Sequence, residues 1–331
     1  VFESQIPDQE TVFVKRADYA WPPASAENQG AAYLDSVIVR AIPEVGLRAG
    51  AVTSGQADVV RGIQPSDEQA LGAAGAQAIA APGVDLTANI LGVRVGNEPV
   101  SDERVRRALQ ISIDRQALID TVLSGSYAPS GSILNRGAPG FVDLSDEFAY
   151  DPDEANELLD EAGWTLGDDG IRVKDGQQLK VTVGASSNSV AIKPGLEYVA
   201  EEWRRIGVLL DNRAGDNTFA SKAFADPSVP LVGTRFFNWG SLGPRLSSDT
   251  QFITFHADPV LGDVFAREQS TAPGAEKDAL LEQEQRILVV EENYVIVLWD
   301  EVQVHGVAAG VHIAFTSSTA PDFHGAWKAQ G

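Results

Sequence analysis

Six side chains in the last third of the sequence are of the types that hold a ligand: Phe237, Asn238, Trp239, Arg245, Asp249 and Trp299. Aromatic rings supply contact area at little rotamer cost, and an amide, a guanidinium and a carboxylate fix orientation by hydrogen bond and charge. Each also has a plainer role. Phe237 suits a core, Arg245 a wet loop, and Asp249 the cap of a helix or turn. Trp239 stands where a strand composition runs into a Gly-, Ser- and Pro-rich stretch, so binding and packing are equally open to it.

Chemistry beyond binding lacks its motifs. The chain has no G-x-S-x-G elbow, P-loop, dinucleotide fingerprint or H-E-x-x-H. His256, His305, His312 and His324 are scattered without ligand spacing, and the absence of cysteine excludes disulfides, thiolate metal sites and a cysteine nucleophile. Asp143, Asp146, Glu147, Asp151, Asp153, Glu154, Glu157, Asp160 and Glu161 bring a calcium loop to mind, but Phe148 and Ala149 interrupt the required alternation. A helix start accounts for them better: Asp151 caps, Pro152 takes the first position, Ala155, Leu158, Leu159 and Ala162 form the buried stripe, and Gly163 ends it. No metal, no cofactor and no enzyme are expected; a hydrolase with Ser, His and Asp assembled in space is the rival.

A net charge of −22 and a pI near 4.4 argue against nucleic acid and anionic membrane surfaces as partners. With 331 residues, 44% of them apolar, two lobes are expected rather than one. No apolar run approaches the ~20 residues needed to cross a bilayer.

The elements that position these residues follow from periodicity. Strands are expected at 11–16 and 34–42, then a helix at 44–54 and a further strand from 58, together a βαβ unit with a parallel pair. Ser66 is expected to cap a short helix at 66–73, before a strand at 84–95. Residues 97–127 read as two helices, the first capped by Ser101 and burying Val105, Ala108 and Leu109, the second capped by Asp114 and ending at Gly125, with solvated arginines. Hairpins fall at 168–183, a helix with Trp203 in its core stripe at 196–206, strands at 208 and 231–239, and a long helix at 275–292. Residues 294–300, continuously apolar, read as a strand buried on both faces.

Residues 104–115, RVRRALQISIDR, with the apolar helix and Gly125 that follow, resemble the signature of the family 5 extracellular solute-binding proteins. These are oligopeptide and dipeptide receptors of ABC importers, with relatives that carry nickel chelates, oligosaccharides or haem. The turn Arg16–Trp21, Leu34 with Asp35, the Ser54, Gly55 and Asp58 helix end, and DPDEANELLDEAGW at 151–164 resemble the family in the same order. The resemblance implies an α/β fold of the type II periplasmic-binding-protein kind, two lobes joined by crossing strands, with a hinge near residue 96. It assigns 1–95 to part of a first, incomplete lobe, 96–293 to a second α/β lobe, and 294–331 to strands returning to the first.

The implied function is to capture an extracellular solute between the lobes and deliver it to the transmembrane subunits of an ABC permease. The receptor is expected as a monomer at the extracellular face or in the periplasm, lipid-anchored through a segment not present here. Trp239 matches the cavity aromatic of the peptide receptors, and Trp299 the aromatic of the return strand. The acid that pairs with a peptide ammonium is expected three positions after Trp239, where this chain has Leu242; Asp249 is the nearest carboxylate. Oligopeptide is therefore the first expectation, and an oligosaccharide or other polar solute the second.

Overall fold

The structure, a computed structural model, describes residues 1–19, 21–22, 24, 26–187, 189–235, 254 and 256–329. Phe237, Asn238, Trp239, Arg245 and Asp249 lie outside the described residues. The chain forms two units, Val1–Pro82 with Val302–Gly331, and Gly83–Glu301. It passes from one to the other between Pro82 and Gly83 and returns between Glu301 and Val302. The sequence reading places these divisions at 95/96 and 293/294 instead.

The first unit opens with β1 (Phe2–Ile6), β2 (Glu10–Val14) and β3 (Ser36–Arg40), an antiparallel sheet in that order. Next come α1 (Val45–Thr53), β4 (Val59–Arg61), α2 (Glu68–Ala73) and β5 (Gln77–Pro82). A single 3₁₀ turn, Pro65–Asp67, leads into α2, and no side chain caps it, so the expected role of Ser66 is not realised.

The second unit carries β6 (Asn89–Val93), α3 (Glu103–Ile111), α4 (Arg115–Thr121) and α5 (Pro152–Glu161). The short strands β7 (Thr165–Leu166), β8 (Arg172–Lys174) and β9 (Gln177–Gln178) follow. After them come β10 (Lys180–Ser186), α6 (Ile192–Arg205), β11 (Leu209–Gly215), α7 (Asn217–Ala225) and β12 (Leu231–Thr234). Then α8 (Pro259–Ser270) and α9 (Ala275–Arg286), which runs into a π-helical turn at Ile287–Glu291, lead to β13 (Val295–Trp299). The sheet order is β11-β10-β12-β6-β13. β10 is parallel to β11 and β12, whereas β6 lies antiparallel between β12 and β13. Every residue of β6 and β13 is buried, which is why 294–300 reads as an unbroken apolar run.

The chain re-enters the first unit as β14 (Val302–Val307), then β15 (Val311–Phe315) and β16 (Pro321–Lys328), which form a hairpin. β14 lies between β4 and β5, antiparallel to both. This overturns the expected βαβ unit. β3 pairs with β2 and β4 with β14, so no parallel pair joins them. A three-residue strand takes the partner the folded chain offers, and here that partner is far away in sequence.

Local rules explain most helix ends of the second unit. Asp102, not Ser101, caps α3, accepting from the Arg104 amide, while Ser101 donates to Glu98 at 2.7 Å. Asp114 accepts from the Ala117 amide at 2.9 Å and Asp151 from the Glu154 amide at 2.8 Å, as expected. Gly163 stops the chain after α5 at φ 86°, a left-handed conformation that favours glycine. Trp203 is fully buried and its indole donates to the Leu109 carbonyl at 3.1 Å. Beside it Leu196 and Val199 form the stripe, each fully buried side chain contributing about 1.5–3 kcal/mol.

Two of the four arginines of 104–115 do not belong to a wet face, whereas Arg104 and Arg107 stay partly exposed, with 40% and 26% of their side-chain surface open. Arg106 is 4% and Arg115 7% exposed. Arg106 donates to the carbonyls of Glu292 at 2.7 Å and Ser101 at 3.0 Å. Arg115 donates to Val297 at 2.8 Å, Ile113 at 3.1 Å and both carbonyl groups of Gln110 at 2.9 and 2.8 Å. Desolvation of its guanidinium lowers its pKa to about 9. Arg94, fully buried, donates to Ala223, Phe224, Asp226 and Val229 carbonyls and so closes the end of α7. Packed helices thus leave carbonyls that only a long, many-donor side chain satisfies.

Candidate functional site

The strand ends of the five-stranded sheet define the site. β10, β11 and β12 run parallel, so their carboxyl ends, Ser186, Gly215 and Thr234, share one edge. Thr234 pairs with Ile90 and Trp299 with Asn89, which puts the start of β6 and the end of β13 at that same edge. α6 and α7 begin after β10 and β11, with Asp216 capping α7 through the Phe219 amide at 2.8 Å. The carboxyl edge of parallel strands is where open α/β sheets hold ligands, because the following loops and helix starts converge there.

A charged cluster sits on this edge. Glu301, at 2% exposure, follows β13. Its Oε2 accepts from Asn89 Nδ2 at 2.8 Å, and its Oε1 lies 2.9 Å from Nε of Arg235, the residue directly after β12. That contact is ionic rather than a directed hydrogen bond, since the buried Nε–H does not point along it. The Arg235 side chain keeps 22% of its surface, against 1% for Glu301. The residues that carry Phe237, Asn238, Trp239, Arg245 and Asp249 continue from Arg235 in the chain.

Trp299, the described member of the expected set, is fully buried. Its ring lies so close to α6 that a Cβ on Gly195 would sit 2.5 Å from Cη2, so glycine permits the approach. The indole Nε1 and Asn89 Oδ1 are buried with no hydrogen-bond partner among the described residues. Next to it, burial raises the Asp300 carboxyl to about 6, with Arg136 3.8 Å away.

Behind the edge, Asn135 secures the backbone. Its Nδ2 donates to the carbonyls of Gly83 at 2.6 Å and Glu301 at 3.1 Å, and its Oδ1 accepts from the Glu301 amide at 2.8 Å. Sequence reading missed Asn89, Asn135, Arg235 and Glu301. A signal was present for two: Arg235 and Glu301 are charged residues at the very ends of apolar strands, where a side chain passes from core to site.

The described histidines have other company. His305 donates from Nε2 to the Thr319 carbonyl at 3.1 Å and stacks on Phe315, while His312 stacks on Trp327. His324 lies 3.1 Å from the Asn28 carbonyl, and His256 packs on Tyr294. Among the described residues, no group of three or more His, Cys, Asp or Glu could hold a metal ion, and no helix is long and apolar enough to cross a membrane.

Known proteins share this architecture. NikA from Brucella suis, solved with Fe(III)-EDTA, superposes with a TM-score of 0.82 at 21% identity, over 99% of this chain and 67% of that one. AppA from Bacillus subtilis, solved with a nonapeptide, gives 0.79 at 16% identity, over 99% and 66%. These likenesses show the fold, which is α/β and of the periplasmic-binding-protein kind. In sequence, the glutathione-binding protein GsiB of Salmonella typhimurium is 24% identical over 303 residues, 86% of this chain and 56% of its own length. The nickel-binding periplasmic protein of Escherichia coli is 27% identical over 206 residues, 60% of this chain and 37% of its own. The chain therefore spans about half the length of the curated relatives it matches. The sequence model described as bacterial extracellular solute-binding proteins, family 5 Middle, matches residues 1–247, and the chain belongs to that family.

Proposed function

We propose that the chain is the substrate-binding component of an ABC importer, taking an extracellular solute, in the first instance an oligopeptide, and delivering it to the permease. The carrying observation is the carboxyl edge of the second unit's sheet. There the ends of five strands meet, a buried carboxylate holds a partly open guanidinium, and the segment with Phe237, Asn238, Trp239, Arg245 and Asp249 departs. Such an edge offers a solute a few fixed polar groups, and the types that follow in the chain, aromatic and polar, are those of a small-ligand site. We place the hinge in the two chain passages, Pro82 to Gly83 and Glu301 to Val302. Among relatives, AppA was solved with a peptide and GsiB is named for glutathione, which supports a peptide as the first solute to try.

Native mass spectrometry of the protein purified without refolding tests this reading. A ladder of bound masses spaced by amino-acid residues is the expected result. Hexose spacing, or one discrete mass with no peptide composition, would move the solute to another class.

A further inference from the structure

The first unit contains a cleft of its own, of about 200 Å³, where three stretches far apart in sequence meet. The end of β2 brings Phe13, Lys15 and Arg16, the turn after it Tyr19, the approach to β3 Leu34, and β16 Phe323. Pairing of Phe13 with Val37 sets the floor, and the Lys15 amide, donating to the Asp35 carbonyl at 2.8 Å, carries that pairing past the strand ends. Tyr19 is held in place from two sides. Its hydroxyl donates to the Trp21 carbonyl at 3.3 Å, and its ring stands edge-on to His324 at 5.3 Å. His324 is fixed in turn, exchanging hydrogen bonds with Asn28 at 3.1 Å in each direction. Phe13 nevertheless keeps 40% of its surface open, so the wall is reachable from solvent.

We propose that this cleft binds a small amphipathic anion, one aromatic ring with a short tail ending in a carboxylate, its ring among Phe13, Tyr19 and Phe323 and its charge on Lys15. Size and walls call for the ring. An apolar cavity of roughly 150 Å³ holds benzene, so 200 Å³ takes a ring and a tail of two or three carbons, and aromatic walls suit an aromatic guest. Charge calls for the carboxylate. In a chain that carries −22, this rim has two neighbouring cations. Arg16 is engaged by Asp18 through two hydrogen bonds of 2.8 and 3.1 Å, whereas the exposed Lys15 ammonium has no ion-pair partner among the described residues. A cationic guest meets Lys15, and a sugar leaves hydroxyls against apolar walls. The cleft belongs to the first unit and the solute edge to the second, so the inference stands or falls apart from the importer reading.

The test is calorimetric titration of the chain with 3-phenylpropionate, 3-phenylpropanamide and propionate, with hydrogen exchange to locate the guest. Phenylpropionate is expected to bind with a Kd of about 1 mM, the range open to so small a ligand. The amide is expected to bind about threefold more weakly, the ordinary worth of an exposed ion pair, and that gap is expected to close in ~1 M salt. Propionate, which lacks the ring, is expected not to bind. Exchange is expected to slow at 13–19, 34–37 and 323–324. Lys15→Gln is expected to hold acid and amide alike at the amide's strength, which a merely structural role for this exposed side chain would not produce. Phe323→Ala is expected to weaken both about fivefold. Absence of saturable binding by phenylpropionate, equal binding of acid and amide by the unaltered protein, or protection confined to other amides each overturns the inference.

Discussion

Asn135 grips Glu301 on both sides of one residue, accepting from its amide at 2.8 Å and donating to its carbonyl at 3.1 Å. The same Nδ2 reaches the Gly83 carbonyl at 2.6 Å, so one side chain sews together the two strands of backbone that lead out of the second unit. Glu301 then turns its own side chain to Asn89 and Arg235. Backbone restraint and solute edge meet in a single residue.

Asn135→Ala removes three buried hydrogen bonds and is expected to destabilise the protein by about 1–3 kcal/mol. Amide hydrogen exchange at Glu301 is expected to quicken, whereas Asn135→Asp, which keeps the acceptor, retains most of that protection. Exchange at Glu301 that is unchanged in the alanine variant contradicts the clamp.

Gly195→Ala places a methyl 2.5 Å from the Trp299 ring, which has no space to retreat. The expected cost is about 1–3 kcal/mol by overpacking, read as a lower Tm with a changed near-ultraviolet tryptophan signal. A variant as stable as the parent shows that the ring is not pinned.

Arg115→Met keeps length and removes every donor. The carbonyls of Val297, Ile113 and Gln110 then lose their partner, and a loss of about 3 kcal/mol or more is expected in denaturant unfolding. Near-neutral behaviour would mean that the arginine is merely tolerated in the core.

Two buried groups give opposite pH slopes. His305, buried with Nδ1 unpartnered among the described residues, is lowered to about 4 from 6.5. The unfolded chain binds the extra proton in that window, so this contribution is complete above pH 6.5 and shrinks as pH falls toward 4. His305→Gln is expected to flatten that acid loss. Asp300, raised to about 6 from 3.8, does the reverse: its contribution is present below 3.8 and lost as pH rises through 6. Asp300→Asn is thus expected to raise Tm at pH 7 and to leave it unchanged at pH 3.5. Thermal melts across pH 3.5–8 check both slopes.

What was legible in the sequence were features decided within a few residues. The caps at Asp114 and Asp151, the stop at Gly163, the core stripe of Trp203 and the doubly buried run at 295–299 all depend on near neighbours or on period. Illegible were the features completed from far away. The burial of Arg106 and Arg115 depends on carbonyls of Glu292 and Val297, and β4 finds its partner in β14. A charged helix looks wet until the carbonyls that claim its arginines are known. At the site, aromatic and polar types pointed to 237–249 and Trp299, but the ion pair that anchors the edge joins residues 235 and 301, a pairing only the sheet reveals.

The central claim, that the carboxyl edge of the second unit's sheet receives the solute, is tested most directly by hydrogen exchange of the whole chain with and without a tryptic digest of casein as peptide source. The account predicts new protection concentrated at residues 87–89, 186–191, 215–217 and from 235 onward, with the rest unchanged. Protection that falls instead on the hairpin 311–328, or no change at any amide while peptide is shown to bind, would contradict it.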